Sequence, residues 1–258
     1  MAGEEGVRLS LAGAQDKIAV HVADGVVSLP LGGAPSTHIL KPAIERFEGL
    51  VFNEAFCLTL AQAVGLSVAT ADIGRVGMID YLMVERYDRH SDADGNVHRL
   101  HQEDFCQAMG ISSENKYQGE GGPSLKSCFE LLRHASSQPV IDLMHLLDAV
   151  IFNLLIGNHD AHGKNFSLLY KTGQISTRDD GGWRDKKSTQ LAPLYDLVCT
   201  VYYPELSKKM AMKLGGESES TKVTSTHLEK FAQDAGLSAP MVKKRVKHWM
   251  ESAQKSLR

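Results

Sequence analysis

Cysteine is scarce in this sequence: Cys57, Cys106, Cys128 and Cys199 are the only four in 258 residues, and no two form a CxxC pair. Their wide spacing argues against a disulfide framework and reads as reduced, mostly buried thiols of a cytosolic protein. No excess of one charge sign is present either. The net charge is −3 with 23% charged residues, so nothing global marks a nucleic-acid or membrane binder. Long apolar runs are missing. The most apolar stretch, 143–156, is interrupted by Asp148 and Asn153 and is too short to span a bilayer. The opening Met1-Ala2-Gly3-Glu4-Glu5-Gly6 is acidic and polar, unlike a secretory leader. There is no internal repeat, no low-complexity tract, no Walker A motif and no GxGxxG. What remains is a chain with 43% hydrophobic residues, enough for one large domain or two lobes around a cleft.

The pattern changes along the chain. Ile18, Val20 and Val22 alternate with Ala19 and His21, and an Asp24-Gly25 turn leads to a second short strand at 26–29. Residues 37–41 read as a third strand, and 68–76 and 78–85 as two more. Between them, 51–64 has helical periodicity and stops at Gly65. Beyond about residue 90 the expectation is helical: 101–109, 124–134, 139–156, 225–235 and 239–253. Pro139 sits where a first helical turn accepts proline. Asp142 and Asp148 read as polar interruptions of the face made by Val140, Leu143, Met144, Leu147, Val150, Ile151 and Leu154. The polar stretch 173–190 is expected to be an exposed hairpin tip or loop. The resulting layout is α+β and protein-kinase-like. A small β-rich lobe with one helix (1–88) ends at a charged joint, Glu85-Arg86-Tyr87-Asp88-Arg89, and a larger all-helical lobe follows (89–258).

Chemistry concentrates in His159-Asp160-Ala161-His162-Gly163-Lys164-Asn165. The spacing D-x-x-x-x-N is that of a kinase catalytic loop. An aspartate takes the proton of the attacking hydroxyl, and an asparagine five residues on turns its amide oxygen to magnesium. Such a pair is common by chance, so its partners decide. Lys164 lies between the two and can stabilise charge on a transferring phosphoryl group. Asp196, in the strand-like run 194–197, would be costly to bury without a cation. Lys41 ends a strand and Glu54 follows on the helix, the order of a phosphate-binding lysine and the glutamate that holds it. Small residues at 12–14 let backbone N–H groups approach phosphates. Loop, lysine, helix glutamate, joint, D-x4-N and aspartate appear in protein-kinase order.

The segments Ser10-Leu11-Ala12-Gly13-Ala14-Gln15-Asp16-Lys17, 37–41, 84–89, 102–107, Lys116-Tyr117 with Gly121-Gly122-Pro123, 157–167 and Leu194-Tyr195-Asp196 resemble the HipA-like serine/threonine kinases, toxins of bacterial HipBA-type toxin–antitoxin modules. The resemblance runs from about residue 9 to 215. It implies ATP and Mg2+ as cofactors and a phosphate loop at Ala12, Gly13, Ala14, Gln15, Asp16 and Lys17. Lys41 would sit on the α/β-phosphates, held by Glu54 as a structural ion pair. Adenine would meet Glu85, Arg86 and Tyr87. Asp160 and Lys164 would be catalytic, and His162, Gly163, Lys164, Asn165, Tyr195 and Asp196 would complete the nucleotide site, with Asn165 and Asp196 on the metal. Ser10 would be an autophosphorylated, self-inactivating serine. The implied substrate is an aminoacyl-tRNA synthetase, whose inhibition stalls translation and induces dormancy in the cytoplasm. A HipB-like DNA-binding antitoxin is the implied partner, with any DNA contact made through that complex. Longer members carry an N-terminal subdomain before the phosphate loop, whereas nine residues precede Ser10 here. Either a separate protein supplies that piece, or the sequence is cut from a longer chain.

Other readings stay open. His159, Asp160 and His162 could be metal ligands of an HD-type phosphohydrolase. The chain could be a pseudokinase that binds within an antitoxin complex, or a small-molecule kinase of the aminoglycoside or choline type. Lys243, Lys244, Arg245 and Lys247 form a basic helix face, either solvated or directed at a DNA-bound complex. Tyr202, Tyr203, Pro204, Lys208 and Lys209 are expected in the segment that receives a protein substrate.

Overall fold

The computed structural model describes residues 15–176 and 183–256. It begins with the Ile18–Ala23 (β1) and Val26–Ser28 (β2) hairpin. Asp24 and Gly25 have φ of 50° and 76°, the double left-handed turn whose twist suits a two-residue hairpin. His38–Pro42 (β3), Leu50–Ala63 (α1), Ala71–Val76 (β4) and Ile79–Glu85 (β5) follow. The strands form one antiparallel five-stranded sheet in the order β2-β1-β3-β5-β4. Helix α1 ends in a Schellman cap: Leu66 N–H reaches Ala61 O at 2.9 Å and Gly65 N–H reaches Gln62 O at 2.9 Å. Gly65 takes the left-handed φ of 91° this cap requires.

The rest of the chain mixes helices and strands. Arg89–Ser91 (β6) pairs with Val97–Arg99 (β7), and His101–Asp104 (β8) leads into the one-turn helix Phe105–Ala108 (α2). Helices Leu125–Ala135 (α3) and Pro139–Leu155 (α4) come next. The hairpin Ser167–Ser176 (β9) and Trp183–Leu191 (β10) follows, then Lys209–Leu214 (β11), Glu217–Glu219 (β12), Ser225–Asp234 (α5) and Ala239–Ser256 (α6). An all-helical second part is therefore incorrect: β8 joins β9 and β10 in a three-stranded antiparallel sheet, and β11 pairs with β12. The expected helix at 101–109 is divided because His101 to Asp104 pair with residues 167 to 170 of β9. Asp104 then caps α2 by accepting from Gln107 N–H at 2.9 Å. The other helices lie where their periodicity put them, within the usual fraying of helix ends. The strand-like run at 194–197 is reduced to one parallel bridge, Val68 with Leu194.

Phe105, Phe129, Leu132, Leu146, Leu147, Ile151 and Phe231 are buried in one core that also takes in Val51, Leu58 and Leu82 from α1 and the five-stranded sheet. Burying each such side chain contributes about 1.5–3 kcal/mol. A smaller cluster of Phe47, Leu50, Val198, Tyr203 and Leu206 ties the start of α1 to the segment after Asp196. Among the described residues no helix is long and apolar enough to cross a membrane.

Candidate active site

Strand β3 holds Lys41 beside Leu82 of β5, and the ammonium group is buried, with 5% of its side chain exposed. Its Nζ donates to Glu54 Oε1 at 2.6 Å and to Asp196 Oδ1. Burial disfavours the charged amine. The two carboxylates outweigh it and hold Lys41 above the ordinary lysine range. Burial also pushes the Glu54 carboxyl up, against the pull of Lys41. Burial acts the same way on Asp196, but Lys41 and Lys17 keep that carboxyl below the usual carboxylate range. Lys17 Nζ meets Asp196 Oδ2 at 3.2 Å. Asp196 has a φ of 53°, a left-handed conformation that aspartate adopts more readily than most residues. The neighbouring backbone explains how it is held. Leu194 N–H bonds Ser67 O at 2.9 Å and Ala69 N–H bonds Leu194 O at 2.8 Å, so the chain is pinned just before it turns.

The loop after α4 is fixed from within. Gly157 ends the helix at φ 67°, and Asn158 N–H returns to Asn153 O at 2.9 Å. Asn158 Nδ2 donates to Asn153 Oδ1 at 2.7 Å, and Asn158 Oδ1 accepts from Asp160 N–H at 3.1 Å. His159 faces the other way: its ring nitrogens lie 2.7 Å from Ser220 Oγ and 3.4 Å from Ser207 O. With both nitrogens so engaged, the reading of His159, Asp160 and His162 as one metal-ligand set loses its geometry. Asp160 Oδ1 accepts from Tyr117 Oη at 2.7 Å. Asn165 Oδ1 accepts from His162 N–H at 3.0 Å. His162 is buried, and burial with Lys116 nearby lowers its pKa to about 3.

These groups converge on a cleft of about 410 Å³ lined by Gln15, Lys17, Lys41, Glu54, Asp160, His162, Lys164, Asn165, Tyr195 and Asp196. A second cleft of about 210 Å³ shares Lys17, Lys41, Lys164, Tyr195 and Asp196 and adds Glu85, Arg86 and Tyr87 with the apolar Ile39, Ala69 and Val84. Most of the expected site residues are thus brought together. Asp16 is exposed and lines neither cleft. Gly163 lies against Pro123 and Cys106 rather than in the cleft. The side chain of Arg86 pairs with Asp88 at 2.8 Å, and the Tyr87 hydroxyl donates to Gln102 Oε1 at 2.5 Å. Tyr195 stacks on Tyr87 with centroids 5.8 Å apart, and its hydroxyl donates to Lys164 O at 2.8 Å. Ser10, Ala12, Gly13 and Ala14 lie outside the described residues.

Sequence reasoning assigned no role to Lys116, Asn158 or Thr200, which also line the larger cleft, or to Tyr117. The compact Lys116-Tyr117 and Gly121-Gly122-Pro123 block was the signal that could have found the first and last. As for a metal, Asp196 and Asn165 offer only carboxylate and amide oxygens to the cleft. Magnesium takes such donors from a protein, completing its shell with water and phosphate oxygens. The residues therefore fit that ion in donor type, with Lys17 at Oδ2 and Lys41 at Oδ1 as the cations it would share Asp196 with or displace.

Residues 9–257 match the family model of the HipA-like C-terminal domain. The chain is 49% identical over 257 residues to the Sinorhizobium fredii protein Y4mE, covering 100% of this chain and 58% of that one. It is 32% identical over 242 residues to the serine/threonine-protein kinase toxin HipA of Shewanella oneidensis, covering 89% and 52% respectively. Among solved structures, the Shewanella oneidensis MR-1 complex of HipA, HipB and operator DNA superposes with a TM-score of 0.83 at 28% identity, over 99% of this chain and 60% of that one. The Helicobacter pylori proinflammatory kinase CtkA shares the fold at a TM-score of 0.50 and 12% identity. The chain spans only 58% and 52% of these two curated relatives. On the match across nearly its whole length, the chain belongs to the HipA-like C-terminal domain family.

Proposed function

We propose that this chain is the catalytic part of a serine/threonine protein kinase that transfers the γ-phosphoryl group of ATP. The observation that carries the reading is the buried Lys41 between Glu54 and Asp196, lining one cleft with Asp160, Lys164 and Asn165. Lys41 would hold the α- and β-phosphates, with Gln15 and Lys17 at the end of the phosphate loop. The base would enter the smaller cleft against Ile39, Ala69 and Val84, beside Glu85, Arg86 and Tyr87. Asp160 would accept the proton of the substrate hydroxyl. The new O–P bond would form as the bond from the γ-phosphorus to the β–γ bridging oxygen breaks, and ADP would leave. Lys164 would stabilise charge on the equatorial oxygens. Asn165 and Asp196 would hold magnesium, which when bound screens and orients the phosphates. In this reading residues 1–88 and 89–258 act as the two lobes around the site.

The name of the Shewanella relative, a kinase toxin, and its structure with HipB and operator DNA support a toxin role and a HipB-like antitoxin partner. The family resemblance extends the reading to an aminoacyl-tRNA synthetase substrate, autophosphorylation at Ser10 and action in the cytoplasm.

Asp160→Asn tests the assignment. Transfer from γ-labelled ATP is expected to fall by at least about 10²-fold, with ATP binding and the melting midpoint retained. Phosphoproteomics of cells expressing the chain beside this variant would name the substrate. Near-normal transfer by Asp160→Asn would sink the assignment. ATP binding without transfer in the unaltered chain would favour a pseudokinase-like binding protein instead.

A further inference from the structure

We infer that Tyr117 is a positioning residue for Asp160, which makes the 115–123 segment a working part of the active site. The inference rests on the proposed role of Asp160. Tyr117 is 4% exposed, and its hydroxyl donates to Asp160 Oδ1 at 2.7 Å. Hydrogen bonds from a hydroxyl to a carboxylate at this length are among the stronger ones in proteins. One oxygen held in this way restrains rotation of the whole carboxylate, and proton acceptance depends on where that carboxylate points.

The tyrosine is itself held firmly enough to do this. Its ring meets His162 edge-on with centroids 5.4 Å apart and an interplanar angle of 71°. Lys116 Nζ lies 5.3 Å from the ring centroid and also lines the cleft. The Tyr117 carbonyl accepts from Glu120 N–H at 2.9 Å and Gly122 N–H at 2.8 Å. A Cβ on Gly122 would fall 2.6 Å from Asn115 O, so only glycine lets this turn close. Pro123 then packs on Gly163 inside the catalytic loop, where a Cβ would come within 2.3 Å of the proline ring. The segment therefore grips the loop at two points, Asp160 and Gly163. A buried tyrosine needs some hydrogen-bond partner. Choosing the loop's carboxylate, with the turn locked onto the same loop, is more than solubility of a phenol requires.

The test is Tyr117→Phe, which keeps the ring contacts and removes only the hydroxyl. ATP turnover with magnesium and the substrate recovered by phosphoproteomics would be measured beside wild type and Asp160→Asn. We expect kcat to fall about 10- to 100-fold, the rate equivalent of a hydrogen bond to a charged group. The KM for ATP should stay within about twofold. In a crystal structure of the variant, the Asp160 carboxylate should leave its wild-type orientation. Wild-type kcat, an unmoved carboxylate, or a kcat loss matched by an equal loss of ATP affinity would overturn the inference. Activity in Asp160→Asn, or none in wild type, would overturn the parent reading. An inactive Asp160→Asn beside an unimpaired Tyr117→Phe would overturn this one alone.

Discussion

Lys41 illustrates how one residue sets the electrostatics of the cleft. A lone ammonium group in this position would lose its hydration and its proton. Glu54 and Asp196 reverse that and hold Lys41 in its charged form, while Lys41 and Lys17 together hold the Asp196 carboxyl below the usual carboxylate range. Gly163 matters for shape rather than charge. Gly163→Ala would drive a Cβ to 2.3 Å from Pro123 Cγ and 2.9 Å from Cys106 Sγ. Overpacking of this kind costs about 1–3 kcal/mol, to be read as a loss of unfolding free energy in urea. A variant as stable as wild type would show that the loop yields freely. At this scale much of the site was legible. Lys41, Asp160, Asn165 and Asp196 follow one another in a recognisable order, and each lines the cleft. The bond from Tyr117 to Asp160 had no such signal beyond the Lys116-Tyr117 block, because a hydroxyl donor 43 residues from its acceptor leaves no periodic trace.

Helices α4 and α6 show what polar residues on an apolar element do. Asp142 and Asp148, expected as interruptions, are buried. Asp142 accepts from Ser136 Oγ at 2.6 Å, Gln138 Nε2 at 3.1 Å and Leu191 N–H at 2.9 Å, fastening α4 to β10. Asp148 accepts from Arg245 Nε and Nη2, both at 2.5 Å, and from Trp249 Nε1 at 2.8 Å, fastening α4 to α6. The basic face of the last helix is therefore divided. Arg245 is an internal clasp, Lys243 pairs with Glu229 at 2.5 Å, and Lys244 and Lys247 are exposed. Arg245→Met should cost about 3 kcal/mol or more, because among the described residues it leaves the buried Asp148 carboxylate with only the indole N–H. Lys244→Met and Lys247→Met should each change stability by less than about 0.5 kcal/mol. Denaturant melts of the three variants would check the contrast, and equal effects would refute it.

At the scale of the whole molecule, the junction after β5 is tied by charge. Asp88 is buried. Arg86 grips it at 3.0 and 2.8 Å and Arg89 at 2.8 Å, while Arg89 Nε also donates to Ser36 O at 2.6 Å. Burial would raise the Asp88 carboxyl, but the two guanidinium groups outweigh it and hold it below the ordinary range. A depressed carboxyl stabilises the fold above its unfolded-state value of about 3.9, and that contribution is lost as pH falls through the folded value. Asp88→Asn should therefore cost about 2–4 kcal/mol at pH 7. Its deficit should narrow as acid protonates Asp88 in the wild type. Unfolding in urea across pH 7 to 3 would measure this, and a deficit constant with pH would exclude the ion pair as its cause.

The sequence by itself determined what is local. The Asp24-Gly25 hairpin, the glycine-capped α1 and the proline-led α4 follow from φ preferences, caps and period. The order of the motif residues pointed to the family. Tertiary structure alone decided which distant groups touch. Lys41 meets Asp196 across 155 residues, and Asp148 meets Arg245 across 97. It also made β8 a strand where the pattern suggested helix, since pairing with β9 outweighs a weak local preference. Contacts of this kind depend on loop paths and on desolvation at a packed interface. Neither has a repeat in the chain from which it could be read.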